Sequence, residues 1–262
     1  MKHRKLRLSC ELLNMLRAPR EVVVITGSGL GVASGLPASR DGLDGLWSRH
    51  DPQDLATAEG FRRDPASVWA WNSDRRVRAS RAMPNAAHRA IAELAKVVPL
   101  MTVITQNGDN LHERAGTRRT IYLHGRLDDA WCPACGVPHV SQPYGNNSAN
   151  RSPRHAHSAP PACRLCGAFV RPGRLWHGER PQAALWRTCH IVATSAHLVL
   201  AVGTSCQSPA AAELCYAALA AGAKLVQINP NPTPMDRLAS HNLRGKAEIL
   251  LPLLLTYGWP GT

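Results

Sequence analysis

Short apolar runs, each stopped by a turn of small or polar residues, constrain this chain most. Val22-Val23-Val24-Ile25, Met101-Thr102-Val103-Ile104, Leu198-Val199-Leu200-Ala201-Val202 and Leu225-Val226-Gln227-Ile228 are rich in β-branched residues and apolar at consecutive positions. Such runs read as strands buried on both faces, as in a parallel sheet. Helical stretches fall between them, at 6–18, 84–94, 181–194, 209–221 and 246–256. Alternation of this kind predicts an α/β fold, a doubly wound, Rossmann-like parallel sheet. In such sheets ligands collect outside the carboxyl ends of the strands. The residues that follow each run are therefore the first candidates for a site.

The run ending at Ile104 leads into Thr105-Gln106-Asn107-Gly108-Asp109-Asn110-Leu111-His112-Glu113-Arg114-Ala115-Gly116. Two amides and a carboxylate at a strand end donate and accept in a fixed pattern, which suits a ligand with a carboxamide and hydroxyls. The local alternative is that Asn107 or Asp109 caps the next helix. A second run, Ile121-Tyr122-Leu123, delivers His124-Gly125. A histidine there is a candidate general base, because its ordinary pKa lies near neutrality. After the first strand comes Gly27-Ser28-Gly29-Leu30-Gly31, a glycine-rich turn that lets backbone N–H groups approach a pyrophosphate. Its spacing is not that of the usual dinucleotide fingerprint. Gly203-Thr204-Ser205 follows a later strand and offers hydroxyls to ribose or phosphate oxygens.

Two Cys-x-x-Cys knuckles, Cys132/Cys135 and Cys163/Cys166, point to a metal. Four thiolates close a tetrahedral zinc site and leave no open position, so the ion is structural. Paired knuckles with four further cysteines in 262 residues do not describe a secreted disulfide scaffold, and the expected compartment is the cytoplasm. No run reaches the ~18 apolar residues that would span a bilayer. The net charge of +13 favours acidic or phosphate-bearing partners. Arginines are scattered and not blocked together, so nucleic-acid contact is allowed by the charge but not required.

Thr105-Gln106-Asn107-x-Asp109-x-Leu111-His112-x-x-Ala115-Gly116 with His124-Gly125 resembles the central motif of the sirtuins, NAD-dependent protein-lysine deacylases. The likeness runs from about residue 20 to 250. Gly27, Gly29, Ser34, Gly35, Pro37, Arg40 and Gly45-Leu46-Trp47 match the family's glycine loop, while Ser28, Gly31 and Ser39 depart from it; Ser39 replaces a phenylalanine. Arg171-Pro172 through Gly178-Glu179 matches the family's Arg-Pro-x-Val-Val-x-Phe-Gly-Glu, with His177 in place of Phe. The order from Asp51 to His88 resembles the short bacterial and mitochondrial branch, whose Tyr-x-x-Arg pair binds acidic acyl groups. Here Asn72 and Arg75 fall at those positions.

The resemblance implies NAD as cofactor, held by Gly27, Ser28, Gly29, Arg40, Trp47, Gln106, Asn107, Asp109, Gly203, Thr204, Ser205, Asn229 and Ala247. It implies His124 as the catalytic base, and Asn72, Arg75, Trp176, His177, Gly178 and Glu179 as the substrate side. The partners are acylated protein lysines and the expected state is a monomer. The expected division is a Rossmann-like NAD domain, 1–125 and 176–262, with a zinc-ribbon module inserted at 126–175. Rival readings on the same scaffold are an ADP-ribosyltransferase, an NAD hydrolase and a catalytically weak NAD-binding module.

Overall fold

The run Glu21–Thr26 becomes the strand β1, and its side chains alternate between two cores. Val22 and Val24 pack into one apolar cluster, Val23 and Ile25 into the other. That alternation is the period-2 geometry of a strand buried on both faces. The computed structural model describes residues 9–38, 51–139 and 159–259. In chain order the elements are α1 (Cys10–Arg17), β1, a 3₁₀ segment (Ser28–Ser34), α2 (Pro52–Leu55), α3 (Ala58–Arg63), α4 (Pro65–Arg81), α5 (Ala86–Val97), β2 (Leu100–Thr105), α6 (Leu111–Arg114) and β3 (Thr120–Tyr122). They continue with β4 (Ala130–Trp131), β5 (Arg171–Pro172), α7 (Ala183–Ser195), β6 (Leu198–Val202), α8 (Pro209–Ala220), β7 (Lys224–Ile228), β8 (His241–Leu243) and α9 (Ala247–Gly258).

Among the described residues the main sheet has six strands in the order β3-β2-β1-β6-β7-β8, and every neighbouring pair is parallel. The order turns back at β1, between β2 and β6, which is the switch point where a ligand crevice opens in this architecture. One face is covered by α1, α5 and α9 through Leu12, Leu16, Ile91, Leu94, Leu250 and Leu254. The other is covered by α7 and α8 through Cys189, Ala193, Leu214 and Ala218. Each fully buried Leu or Ile of these layers contributes about 1.5–3 kcal/mol. The α/β, doubly wound expectation holds.

The smaller differences have local causes. Pro84 lies outside its helix: Asn85 is the N-cap, accepting from Ala87 and His88, and His88 returns a ring nitrogen toward the Asn85 N–H. The strand β8 was not legible in His241-Asn242-Leu243, because it is a short edge strand and only half-buried. The polar stretch after residue 50 divides into α2, α3 and α4, with Thr57 and Asp64 capping the last two through their side chains. The two-stranded β4–β5 ribbon stands apart from the main sheet and is antiparallel. Among the described residues no helix is long and apolar enough to cross a membrane.

Candidate active site

Four strand ends are knitted together at the switch point. The Gly27 N–H donates to Val202 O at 3.1 Å and the Gly29 N–H to Gly203 O at 2.9 Å. This contact explains the glycines: a Cβ on Gly27 would stand 2.7 Å from Gly203 O, and one on Gly29 2.9 Å from the same atom. Gly203 itself has φ +58°, a left-handed conformation that favours glycine. Gln106 donates through Nε2 to Thr204 Oγ1 at 2.8 Å, and Asn229 Nδ2 donates to Thr204 O at 2.7 Å. Asn107 Nδ2 donates to Gly27 O at 3.0 Å. The glycine turn thus opens a 3₁₀ segment and not an α-helix, and its backbone lies against the turn after β6.

Beside these ends lies a cleft of about 1360 Å³. Gly27, Ser28, Gly29, Gln106, Asn107, Gly203, Thr204, Ser205, Asn229 and Ala247 line it. His124 lines it too, as do Asn72, Arg75, Trp176, His177, Gly178 and Glu179. Asp109 faces an adjoining cavity of about 120 Å³ that shares Ser28, Trp71, Arg75, Gln106, Asn107 and Arg174 with the cleft. Asp109 also accepts from the Leu111 N–H at 3.2 Å, but the N-cap of α6 is Asn110, without a side-chain cap bond, so neither Asn107 nor Asp109 is the helix cap. Arg40 and Trp47, with Ser39, lie outside the described residues.

The electrostatics of the cleft follow from burial. The His124 imidazole is driven down to about 4, first by burial and then by the Arg174 charge and His177. At neutral pH it is therefore uncharged and can accept a proton. Its Nε2 lies 3.4 Å from Ser208 Oγ. Burial pushes the Asp109 carboxyl upward. Arg75 is lowered to about 9 by burial and by the like charge of Arg174, which leaves it a cation at neutral pH. Its guanidinium lies 4.5 Å from the Trp71 ring centroid, a cation–π arrangement.

The segment returning from β5 is locked from behind. Arg171 is buried and donates to both Glu179 oxygens, at 2.6 and 3.1 Å. Its guanidinium also sits over the Trp176 ring at 3.2 Å and the Trp131 ring at 4.6 Å. The Glu179 carboxylate further accepts from the Trp176 N–H at 2.8 Å. Glu179 is thus engaged by the protein even though it lines the cleft.

Arg174 is a site residue that the sequence reading passed over. It stands where the family motif has its first valine, and that departure was the available signal. Its Nη1 donates to Gly125 O at 2.7 Å and its Nη2 to Gln106 O at 3.1 Å.

At the far end of the β4–β5 ribbon the Sγ atoms of Cys132, Cys135, Cys163 and Cys166 all lie within 4.8 Å of one another. The closest pairs are Cys132–Cys166 at 3.4 Å and Cys135–Cys163 at 3.6 Å. Four sulfurs at Zn–S bonds of about 2.3 Å stand roughly 3.8 Å apart in a tetrahedron, so the set fits one structural zinc. The knuckles repeat one turn: Gly136 and Gly167 have φ +73° and +76°, and each donates its N–H to the first cysteine's carbonyl at 2.9 Å.

An independent family comparison agrees with this architecture. The Sir2 family model matches residues 27–209. A protein of Methylococcus capsulatus described as an NAD-dependent protein deacylase is 44% identical over 95% of this chain and 97% of its own length. NAD-dependent protein deacylase 1 of Pseudomonas aeruginosa is 40% identical over 95% and 99%. Among solved structures, a Sir2 homolog–NAD complex superposes with a TM-score of 0.86 at 34% identity, covering 96% of this chain and 94% of that one. A Sir2 protein bound to acetylated peptide gives 0.80 at 26% identity, covering 95% and 97%. The fold and the site define an α/β protein built around a dinucleotide-sized cleft and a four-cysteine module, and this chain belongs to the Sir2 family.

Proposed function

We propose that this protein is an NAD-dependent protein-lysine deacylase that releases nicotinamide and O-acyl-ADP-ribose. The observation that carries the reading is one cleft lined at once by the glycine turn, the Gln106–Asn107 amides and His124. The relatives named for NAD-dependent deacylation match over nearly the whole chain.

The residues fit NAD on structural grounds. The glycine turn lines the cleft with small residues, and its close packing on the Gly203–Thr204 turn brings both backbones to the same wall. Gly27, Ser28, Gly29, Gly203, Thr204 and Ser205 would hold the phosphates and ribose, Asn229 and Ala247 the adenosine end, and Gln106, Asn107 and Asp109 the nicotinamide ribose and carboxamide. NAD, when bound, supplies a ribose carbon that the acyl oxygen can attack as nicotinamide leaves. Arg40 and Trp47 belong to the same reading on the family motif alone.

His124 takes a proton from a ribose hydroxyl, and its neutral imidazole at physiological pH suits that role. The segment Trp176, His177, Gly178 and Glu179 is the substrate side of this reading; its Trp176, His177 and Glu179 N–H groups are engaged by Glu179, Ala56 O and Trp176 O, so backbone pairing with a substrate peptide does not use those three. Asn72 and Arg75 line the acyl end of the cleft, where Arg75 offers a charged fork to a carboxylate. The zinc module, 126–175, braces that peptide segment through Trp131 and Arg171, while 1–125 and 176–262 form the NAD-binding unit. The reading takes the protein as a cytoplasmic monomer, and the paired knuckles support the compartment, because a reducing compartment keeps such thiols free for a metal.

Mass spectrometry of products from a panel of acyl-lysine peptides incubated with NAD tests the proposal. Deacylated peptide with matching O-acyl-ADP-ribose supports it. ADP-ribose alone would indicate an NAD hydrolase, and an ADP-ribosylated protein a transferase.

A further inference from the structure

The chain leaving β5 carries a guanidinium into the middle of the site. The two acceptors of Arg174 are informative: Gly125 O belongs to the residue after His124, and Gln106 O to the residue before Asn107. One rigid fork therefore spans the turn that presents the base and the turn that presents the amides. A planar guanidinium is suited to this, because its donors diverge at fixed angles.

The space that the side chain occupies is left by Gly108. A Cβ on Gly108 would come within 2.8 Å of Arg174 Nη1 and 2.9 Å of its Cδ. Gly108 is not among the glycines with positive φ, so its own backbone does not demand glycine. The missing side chain is explained by Arg174 first and by Leu127 second, whose Cγ would stand 3.1 Å from that Cβ. Arg174 borders both the large cleft and the small cavity. Asp109 faces it and supports its charge, while burial lowers it only to about 10, so it is a cation at neutral pH.

We propose that Arg174 is a positioning residue for this site: its guanidinium ties the His124 turn to the amide turn and sets a fixed positive charge beside the imidazole, in space that Gly108 keeps open. The inference rests on the reading of His124 as the base. The groups that face His124 are Arg174 and His177 from the 173–179 segment, Ser208 from the loop before α8, and the Gln106 backbone, whose hydrogen bond favours the imidazolium. Of these, Arg174 carries the permanent charge. Its repulsion adds to burial in disfavouring the imidazolium, so the base stays available as pH falls.

The test compares Arg174→Met, Arg174→Lys, Gly108→Ala and Gly108→Ala/Arg174→Met in the full chain with NAD and the best peptide of the panel. Arg174→Met removes fork and charge, and kcat falls about tenfold to a hundredfold with little change in KM for NAD. The acid limb of its pH–rate profile moves to higher pH, because the imidazolium is no longer repelled. Arg174→Lys keeps the charge but not the fork, so its limb stays in place while kcat still drops. Gly108→Ala displaces the guanidinium and lowers kcat in the wild-type background, and costs less once Met is at 174, where only the Leu127 contact and the side-chain stem remain. Coincident acid limbs for wild type and Arg174→Met, or losses that multiply in the double variant, would overturn the proposal.

Two controls keep the outcome readable. Thermal melting identifies a misfolded variant, in which case Arg174→Lys and Gly108→Ala decide. The imidazole NMR signal that vanishes in His124→Asn reports protonation without turnover, and it titrates at higher pH in Arg174→Met. If His124→Asn retains full turnover, the base assignment falls. If His124→Asn is inactive but the Arg174→Met titration is unmoved, only the role of Arg174 falls.

Discussion

Asn107 Nδ2 donates to the carbonyl of Gly27 at 3.0 Å, joining the end of β2 to the end of β1 across the floor of the cleft. Asn107 is buried, and its N–H is itself taken by Thr105 Oγ1 at 3.1 Å. Asn107→Asp keeps the shape but sets an acceptor against a carbonyl. The lost bond and the stranded group cost about 1–3 kcal/mol, which, carried into cofactor binding, makes NAD binding weaker by roughly 5- to 150-fold. Calorimetric titration with NAD measures it, and an unchanged affinity would show that this bond does not shape the cofactor side.

His124→Ala should lower acyl transfer by about 10²–10⁴-fold. NAD affinity should persist, because none of the bonds that join the four strand ends involves His124. Single-turnover acyl transfer and NAD titration on the same variant separate the two effects. Near-normal turnover would remove His124 from the base role.

Zinc should be found at one ion per chain, and Cys163→Ala should lose it along with the order of the β4–β5 ribbon. Thiolate–zinc bonds couple binding to local folding. The damage should also reach the cleft, since Trp131 next to Cys132 stacks on Arg171, which holds Glu179. Elemental analysis and peptide affinity check the two halves. Full metal content in Cys163→Ala would contradict the ligand set.

Stability should fall with acid well before the carboxylates titrate. His88 is lowered to about 4 and His112 to about 3, each chiefly by burial, and their rings meet edge to face at 5.1 Å. Both values lie below the ordinary 6.5, so the unfolded chain takes up protons first. Their contribution is full above about pH 6.5 and is lost as pH falls toward 4, at about 1.4 kcal/mol per pH unit for each imidazole. Urea melts between pH 7 and 4.5 test this. His112→Asn should flatten the slope, and a slope equal to wild type would place the loss elsewhere.

Arg75→Met should lower turnover of peptides with a carboxylate-ended acyl group more than that of acetyl peptides. The guanidinium on Trp71 is a charged donor lining the cleft, at the end that the proposed reading gives to the acyl group. Competition between succinyl- and acetyl-lysine peptides reads the ratio directly. An equal loss for both would make Arg75 a packing residue.

Much of this protein is determined by local pattern. The apolar runs at 22–25, 101–104, 198–202 and 225–228 are strands because β-branched residues with no polar alternation need burial on both faces. The knuckles at Cys132 and Cys163 were legible because two thiolates three positions apart in a glycine-ended turn point at one ion wherever they occur. Gly27, Gln106, Asn107, His124, Thr204 and Asn229 were legible as a set because each follows a strand, and parallel strands deliver their ends to one edge.

What the chain order does not contain is distance across the fold. The helix α5 starts after Asn85, the N-cap, and not at Pro84, and the Asn85 side chain also reaches Leu30 O, 55 residues away, at 2.8 Å. The edge strand β8 exists only because β7 offers its free side to three half-polar residues. Glu179 reads as part of a substrate segment, yet Arg171 takes up its carboxylate once the turn between them closes. Gly108 and Arg174 are unremarkable apart, one a small residue in a turn and the other a basic residue in a return strand. Their complementarity appears only when β2 and the segment after β5 are brought side by side, because close packing of distant segments decides which side chain fills which space.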